Sequence, residues 1–498
     1  MRGARFGGLM EVLSGSPAMP RKRPHVSVEV PQELVAPLRA ILDHLSEFRV
    51  AAASGKADFG AAEGMLGSLV ARLECDGVAT LLSALDPRSD RVEVDGQTYR
   101  RMNVDGQEVY KALRGEVRIS RGLYRLEGVR NGPTIVPLDL IAGMVEGRYT
   151  PAAARLAATL AAELPSRSAA VVCLSAGVLP HSRAAQDRIG VEMGARWEIL
   201  REKAEVELAD SMEVPEETVA ISVAVDRISM PMAESRPVTA GDRAAGITRP
   251  ISVNYRMAFV GAVTLYDKDG EPIAAIRHAH LPEGGAAAME NSFQRALGAL
   301  MRRRPDLQLV TLADGAPEMQ GILDRATTGL TVAARLVDYY HLVEHLAAAI
   351  GAIGGYVPDV LGDWKGDLLE DDQAIERIEA TLQSWAREYP ADACPKGLHG
   401  ALTYIVNHRE RLRYATPRAA GLPIGSGTVE ATGKAIVQVR MRRPGARWQA
   451  AGAQAIMGLR SAATSSGARW AAVTDRVLRS YRANVKQRRP RATARTHA

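Results

Sequence analysis

The sequence predicts an α/β protein with several domains. Two apolar runs in the centre of the chain have the composition of strands buried on both faces, and helical periodicity dominates the segments around them. The length of 498 residues suggests about three domains at roughly 150 residues each. Apolar residues make up 46% of the chain and charged residues 24%, which argues against disorder or a membrane protein. We expect no transmembrane helix, because the longest weakly charged stretch, 342–356, is too short to span a bilayer.

Positive charge is concentrated at the C-terminal end of the chain. The net charge is +6, yet the last 65 residues hold 15 Lys or Arg and one acid, so this segment alone carries +14 and the remainder −8. A localised positive field favours polyanions such as nucleic acid or an anionic membrane. A GC-rich genome would raise the number of Arg residues everywhere, but it does not explain their clustering.

The cysteines and the N-terminal end bear on the cellular compartment. Cys75, Cys173 and Cys394 lie far apart and form no C-x-x-C pair, so the sequence indicates neither a disulfide framework nor a cysteine zinc site. A reducing cytoplasm fits this pattern. Residues 1–25 lack the apolar core of a secretory signal and are predicted to form a disordered basic arm.

Two different patterns occupy the next 120 residues. Residues 26–90 are predicted to be helical, because apolar residues recur at helical spacing after Pro31. Over 91–145 the pattern changes to short alternating runs that Asp-Gly and Asn-Gly turns separate. We therefore expect a small antiparallel sheet there.

Residues 146–215 have the outline of a helix-turn-helix. The predicted helices begin at Thr150-Pro151 and end near 164, run over 168–174, and run over 183–197 after a capping Ser182. The last helix displays Arg183, Gln186 and Arg188, which are candidate DNA contacts. The alternative is a helical spacer with a solvated polar face, because nothing in the spacing requires a DNA groove.

The strongest α/β signal lies in 216–340, the first part of the predicted core. A buried strand over 219–225 ends in Asp226, and a second one over 307–313 ends in Asp314. The other expected elements are a hairpin around the turn 267–270, a helix over 291–304, and a strand over 330–336 that reaches Asp338.

Helical spacing dominates the rest of the chain. Residues 341–422 form a predicted helical insertion, and the core resumes over 423–465. Glu430 stands there in the first turn of a helix, after a glycine-rich approach. Residues 466–498 are predicted to be a basic helix and tail.

Carboxylates stand where the two buried strands end, which indicates a metal site. Acids at the ends of adjacent strands converge on one rim of a sheet, and their oxygens suit Mg²⁺ or Mn²⁺. Two such ions about 4 Å apart can clamp the attacking and leaving oxygens of a phosphodiester. Asp226 and Asp314 are candidate ligands, and Glu430 is the best candidate for a third. The structural alternative is that both Asp residues only shape turns, while Glu430 pairs with Lys434 at i+4.

Several motifs together resemble one family, the ISKra-type insertion-sequence transposases. These are DDE transposases with a ribonuclease H-like core, and they share features with Mutator-like enzymes. The similarity covers roughly residues 100–465 and is most specific over 423–454. The matching motifs are Val223-Ala-Val-Asp226, Leu312-Ala-Asp314-Gly-Ala316, Asp338-Tyr-Tyr-His-Leu-Val-Glu-His345, Pro423-Ile-Gly-Ser-Gly-Thr-Val-Glu430 and Arg440-Met-Arg-Arg-Pro-Gly-Ala-Arg-Trp448.

The resemblance implies a function and a site. Asp226, Asp314 and Glu430 would be the catalytic triad that holds two Mg²⁺ or Mn²⁺ ions. The enzyme would cleave phosphodiester bonds at the ends of an insertion sequence and join the 3′-hydroxyl to target DNA. Its partners would be double-stranded DNA and further copies of itself, in a homodimer or higher oligomer at the bacterial nucleoid.

The chain also departs from the family pattern. Asp338-x-x-His341 looks like the C/D-x-x-H signature of Mutator-related transposases, but the cysteine pair that related sequences often carry in the small β region is missing. This puts an accessory zinc site in doubt. Pro317-Glu-Met stands where an aromatic residue often follows the second Asp, and this leaves the triad untouched.

A basic cluster follows the third carboxylate. Arg residues neutralise phosphates and supply most sequence-independent DNA affinity. The candidate DNA-binding residues are Lys434, Arg440, Arg442, Arg443, Arg447 and Trp448. Alternatively, the basic residues form a solvated face and Trp448 is a core anchor rather than a base-stacking platform.

Two other functional classes are considered. His341-Leu-Val-Glu-His345 satisfies the H-x-x-E-H pattern of zinc metallopeptidases, although no third ligand can be assigned. For His345 a structural role in a polar helix stripe is expected, and for His341 both core packing and contact with a substrate phosphate are open. A catalytically inactive, transposase-derived DNA-binding protein would retain the helix-turn-helix and the basic end.

Overall fold

The structure is a computed structural model that describes residues 4–5, 29–103, 105–178, 182–353, 360–390 and 392–488. The protein is mixed α/β with several sheets, as the sequence predicts. The chain divides into two compact units. The first comprises Met1–Leu160, Pro165–Ile189 and Leu478–Ala498, and the second Ala161–Leu164 and Gly190–Val477. Apart from positions 4 and 5, the predicted basic arm lies outside the described residues.

The first unit contains the expected helices and small antiparallel β region. Its first elements are β1 (Ala4–Arg5), β2 (Glu29–Val30), α1 (Gln32–Ala53) and α2 (Phe59–Leu85). Next come β3 (Arg91–Val94), β4 (Gln97–Arg101), β5 (Gly106–Lys111), β6 (Glu116–Arg121), β7 (Tyr124–Leu126), β8 (Thr134–Ile135) and α3 (Pro137–Ala142). All pairs among β3 to β8 are antiparallel. Tyr110 and Tyr124, both fully buried, centre the two small cores of this region.

Three helices follow, close to the predicted positions. They are α4 (Pro151–Glu163), α5 (Ser166–Ser175) and α6 (Arg183–Asp210). The hydroxyls of Thr150 and Ser182 accept the N–H groups of Ala153 and Ala185, at 3.4 and 3.1 Å, so both predicted caps are confirmed. Helix α6 extends well beyond the expected end at Trp197. Its second half carries a buried charge network that the apolar pattern does not register.

The second unit is built on a five-stranded mixed sheet. Its elements are β9 (Ala220–Ser235), α7 (Ala240–Ala244), β10 (Ile251–Tyr266), β11 (Pro272–His280), α8 (Gly285–Arg303), β12 (Gln308–Ala313), α9 (Pro317–Ala326) and β13 (Val332–Val337). The strand order is β11-β10-β9-β12-β13. Strands β9 to β11 form an antiparallel meander, whereas β12 pairs in parallel with β9 and β13.

Strand β9 is longer than predicted. The sequence places its end at Asp226, but pairing with β10 continues to Ser235. Pairing with β12 stops at Ala224. The apolar run therefore marks only the part of β9 that has a neighbouring strand on each side, and Asp226 lies where one neighbour ends.

The rest of the second unit is helical, as predicted for the described part of 341–422. Its elements are α10 (Tyr339–Ala352), α11 (Val360–Glu370), α12 (Ala374–Ala386), α13 (Lys396–His408), a 3-10 turn (Arg409–Arg411), α14 (Ala415–Ala419), α15 (Gly427–Gly433), a π turn (Lys434–Gln438), α16 (Ala450–Thr464) and α17 (Arg469–Arg479). The last element, β14 (Val485–Arg488), pairs with β3 of the first unit. The predicted helix of the segment 466–498 is present as α17, and the segment also supplies an edge strand that was not predicted. Residues 489–498 lie outside the described part.

Helices cover both faces of the large sheet. Helices α8 and α9 pack on one face, and the other face lies in a core with α10, α13, α15 and α16. Gly261 on β10 makes the first packing possible, since a Cβ atom there would lie 2.4 Å from the Phe293 ring. Among the residues described, no helix combines the length and the apolar character needed to cross a membrane.

A buried charge network lies beside this sheet. Arg201 donates to Glu205 at 2.6 Å, Arg295 donates to the same carboxylate at 2.8 Å, and His278 lies 3.4 Å from it. His280 is buried next to this network and contacts the Ser292 hydroxyl at 3.3 Å. Burial holds the pKa of His280 well below its usual value of 6.5, and the positive charge of Arg201 lowers it further.

Acidification below about pH 6.5 is expected to destabilise this unit. The unfolded chain then binds a proton at His280 that the folded protein excludes, which costs up to about 1.4 kcal/mol per pH unit. The measurement is the free energy of unfolding between pH 7 and 5. His280→Gln should make this pH dependence smaller, but burial also lowers the pKa of His278, so part of it should persist. His399→Gln, which removes an exposed imidazole, should leave the pH dependence unchanged. An equal effect of both variants would contradict the assignment of this dependence to His280.

Candidate active site

Asp226, on β9, and Asp314, directly after β12, lie near each other at the rim of the sheet. In the parallel pairing of β12 with β9, Leu312 is opposite Ala224, and continuing this register by two residues brings Asp314 opposite Asp226. Burial raises the pKa of Asp226 above its usual value of 3.8, and the negative charges of Asp314 and Glu430 raise it further. All three predicted carboxylates therefore share one electrostatic neighbourhood.

Glu430 reaches this neighbourhood from α15, which packs on β9 and β10. It stands in the first turn of that helix, as predicted, and its side chain is half-exposed. The Lys434 ammonium lies 3.7 Å from its carboxylate, one helical turn away. The predicted i+4 pair is thus present, and it coexists with the placement of Glu430 near the two Asp residues.

Asp338 holds the segments around these carboxylates together. It is 2% exposed, and its N–H group donates to the carbonyl of Ala313, the residue before Asp314, at 2.9 Å. Its carboxylate accepts the His341 N–H at 2.9 Å, which caps α10, and it also accepts the N–H of Ser426. The Asp338-x-x-His341 spacing is therefore that of an N-cap residue and its N3 partner.

His341 is partly exposed and lies close enough to Asp226 to affect it electrostatically. Its side chain is 44% exposed, and its positive form would lower the pKa of Asp226. Its Nδ1 atom lies 3.8 Å from Glu344. The alternative of core packing is wrong for this residue, because a core histidine would be buried; contact with a substrate phosphate stays a prediction.

A wall of rings borders Asp314, and sequence reasoning missed it. The Tyr404 hydroxyl donates to the Asp314 carbonyl at 2.8 Å, and His345 stacks on the Tyr404 ring with centroids 4.0 Å apart. Gly315 has φ +93°, and a Cβ atom there would lie 2.9 Å from the ring of His408. Burial lowers the pKa of both His345 and His408. Tyr404 and His408 lie on α13, about ninety residues after Asp314, and no local motif marks them.

The carboxylates suit a hard divalent cation in type and location, but their side chains do not converge on one point. Asp226 accepts the Arg227 N–H at 2.6 Å, and Asp314 accepts the Ala316 N–H at 2.8 Å. Within the described ranges, no group of three or more His, Cys, Asp or Glu side chains is arranged to hold a metal ion. The H-x-x-E-H residues 341–345 likewise form no such group within the described ranges, and the His345 ring stacks on Tyr404.

Two predicted DNA contacts are buried. Gln186 is 2% exposed, and its amide donates to the carbonyl of Ala157 at 2.5 Å. The Arg440 guanidinium donates to the Ala161 carbonyl at 2.9 Å and lies 4.9 Å from the centre of the Trp448 ring. The prediction that these two side chains bind DNA is wrong, because both satisfy backbone carbonyls inside the protein.

The other candidate DNA contacts remain at the surface or partly buried. Arg183, Lys434, Arg442 and Arg447 are exposed, and Arg443 is half-buried. Arg188 is exposed but bonded to Glu146 through its Nε atom at 2.7 Å. Trp448 is partly buried and donates its Nε1–H to the Met441 carbonyl at 2.9 Å, so it is the anchor that the structural alternative expects.

Comparison with known proteins adds no assignment. No model of a known protein family matches this chain. No curated protein matches it either.

Removing the Asp338 carboxylate should loosen the site. Asp338→Ala leaves the N–H groups of His341 and Ser426 without their acceptor, so we expect a loss of about 2–4 kcal/mol in unfolding free energy and faster hydrogen exchange at both amides. Asp58→Ala is the matched control, because Asp58 caps α2 at an exposed position and should cost only about 1 kcal/mol. Unchanged protection of Ser426 in Asp338→Ala would contradict the bridging role.

Proposed function

We propose that this protein is a DDE-type DNA transposase. The observation that carries the proposal is the electrostatic neighbourhood shared by Asp226, Asp314 and Glu430, which come from three distant parts of the sequence. These are the residues that the resemblance to ISKra-type transposases implies as catalytic. The buried Asp338 in the signature Asp338-x-x-His341 supports the proposal, because it ties the segments that carry Asp314 and Glu430 to each other.

The architecture of the second unit supports a ribonuclease H-like core. An antiparallel meander, β9 to β11, is followed by two parallel strands, and helices cover both faces. The first carboxylate stands on β9, and the second directly follows the neighbouring strand β12. The third comes from a helix after the helical insertion, as the resemblance implies.

Asp226, Asp314 and Glu430 would hold two Mg²⁺ or Mn²⁺ ions. When bound, the ions supply Lewis-acid activation of the attacking oxygen and stabilise the leaving oxygen. The reaction has two parts. Water attacks the phosphodiester at the end of the element, which breaks the P–O bond and frees a 3′-hydroxyl; this hydroxyl then attacks a target phosphodiester and displaces a 3′-oxygen there.

Other residues of the chain would position these groups. Asp338 and Tyr404 hold the backbone next to Asp314, and His341 is partly exposed near Asp226 for contact with a phosphate oxygen. The exposed Arg residues after α15 would hold the DNA backbone. Double-stranded DNA and a second copy of the chain are the proposed partners.

Asp226→Asn should abolish Mg²⁺-dependent cleavage and retain DNA binding. The substrate is a supercoiled plasmid that carries the DNA flanking the gene on both sides, and the products are nicked and linear forms with free 3′-hydroxyls. Asp269→Asn, in the exposed β10–β11 turn, is the matched control and should cleave like the wild type. Full cleavage by Asp226→Asn would overturn the proposal. Absence of cleavage by the wild type, with DNA binding intact, would favour an inactive derivative.

Cation binding can be tested without DNA. Without a divalent cation, Asp226→Asn should melt at a higher temperature than the wild type, because it removes a half-buried charge that Asp314 and Glu430 repel. Mg²⁺ or Mn²⁺ should raise the melting temperature of the wild type and not that of the variant. An equal rise in both proteins would contradict a site at these carboxylates.

A further inference from the structure

The hairpin of β9 and β10 extends past the end of β12 and exposes an apolar stripe. Alternate residues of a strand point to the same face, so four side chains of β10 lie on one side of the hairpin: Ile251, Val253, Tyr255 and Met257. All four are exposed, Tyr255 most of all at 65%. The opposite side is polar, where Glu234 accepts from Asn254 and Arg256.

A basic loop is attached to this hairpin. The backbone of Trp448 pairs with β9, since its N–H donates to the Pro231 carbonyl at 3.3 Å and its carbonyl accepts the Ala233 N–H at 2.8 Å. The indole packs against the core and the buried Arg440. The residues between these two anchors, 441–447, are therefore held beside the stripe at both ends.

A cavity of about 280 Å³ lies between the loop and the hairpin. Its lining includes Pro231, Val253, Tyr255, Arg442, Arg443 and Arg447. Sites for drug-sized molecules begin at about 300 Å³, so this cavity is suited to one flat group rather than an extended ligand.

Three Arg side chains line the cavity. Among the described residues, no carboxylate forms an ion pair with Arg442, Arg443 or Arg447. The one protein acceptor found for their guanidinium groups is the Val439 carbonyl, bonded to Arg443 at 2.9 Å. Three guanidinium groups can bind phosphates, and the exposed phenol ring beside them can stack on a base. A nucleotide supplies both groups. A lipid surface or an acidic peptide would use the charges but would leave the single ring without a planar partner.

We propose that this cavity binds one unstacked nucleotide of the DNA substrate. The base packs against Tyr255 and Val253, and the flanking phosphates contact Arg442, Arg443 and Arg447. This inference rests on the proposed function, because it assumes that the DNA at the cavity is the DNA cleaved at the carboxylates. Pro231 is five residues from Asp226 along β9, about 17 Å, which is the length of about five base pairs. The cavity thus fixes the DNA a few nucleotides from the bond to be cleaved.

Binding of single-stranded DNA tests the proposal separately from cleavage. The probe is a 15-nucleotide oligothymidine with one central 2-aminopurine, whose fluorescence reports stacking. Tyr255→Ala should weaken binding about 10-fold and remove the fluorescence change, because stacking on one aromatic ring supplies an effect of this size. Tyr255→Phe keeps the ring and should bind like the wild type. Because Tyr255 is exposed, both variants are expected to melt at the same temperature as the wild type. This measurement verifies that they fold.

The charges are tested by salt dependence. Arg443→Gln should lower the slope of log affinity against log salt by about 0.7, the value for one phosphate of a single strand. Arg302→Gln, at an exposed Arg paired with Asp210, should not change it. The nucleotide site would be overturned if Tyr255→Ala bound the oligothymidine as tightly as the wild type does. It would also be overturned if polyglutamate displaced the probe as well as unlabelled oligothymidine does.

The two proposals fail in different ways. Binding that depends on Tyr255, in a protein that never cleaves with Mg²⁺, would support the nucleotide site and overturn the transposase assignment. Cleavage that needs Asp226 but is indifferent to Tyr255→Ala would support the enzyme and overturn the nucleotide site.

Discussion

The candidate site depends on one buried carboxylate, that of Asp338. Burial of an acid is costly unless hydrogen bonds satisfy it, and Asp338 is satisfied by two backbone N–H groups that belong to different segments. Its own N–H bonds to the end of β12. As a result, the residue that caps α10 also holds Ser426, the residue directly before α15. These connections hold together the segments that carry Asp314, His341 and Glu430.

Strand β9 links the carboxylates to the proposed nucleotide site. Its first half is paired on both sides, and its second half forms a two-stranded extension with β10. Asp226 lies at the change between the two, where an open strand edge begins. Distances along a strand are stiff, so a nucleotide held near Pro231 would be kept at a constant spacing from Asp226. The extension, which the apolar pattern does not predict, is therefore the element that gives the basic loop a defined position.

The basic end of the chain divides into structural and available charges. Arg440 and Arg460 are buried and donate to backbone carbonyls, among them Ala161 and Ala162. Arg442 and Arg447, by contrast, are exposed. A count of charges treats all of these residues alike. The accessible positive charge of the segment is consequently smaller than its net charge of +14 suggests.

The sequence by itself determined the α/β class, most helices and strands, and the three acids that come together. These follow from periodicity, capping residues and strand-end positions, which are local properties of the chain. The tertiary structure alone decided that Gln186 and Arg440 face inwards, that Tyr404 and His408 border Asp314, and that β9 continues past Asp226. Burial and strand pairing depend on partners far away in sequence, and a polar side chain that satisfies an internal carbonyl has the same local pattern as one that faces solvent. For this reason the three candidate carboxylates could be predicted from the sequence, whereas the surface that would hold the proposed DNA substrate could not.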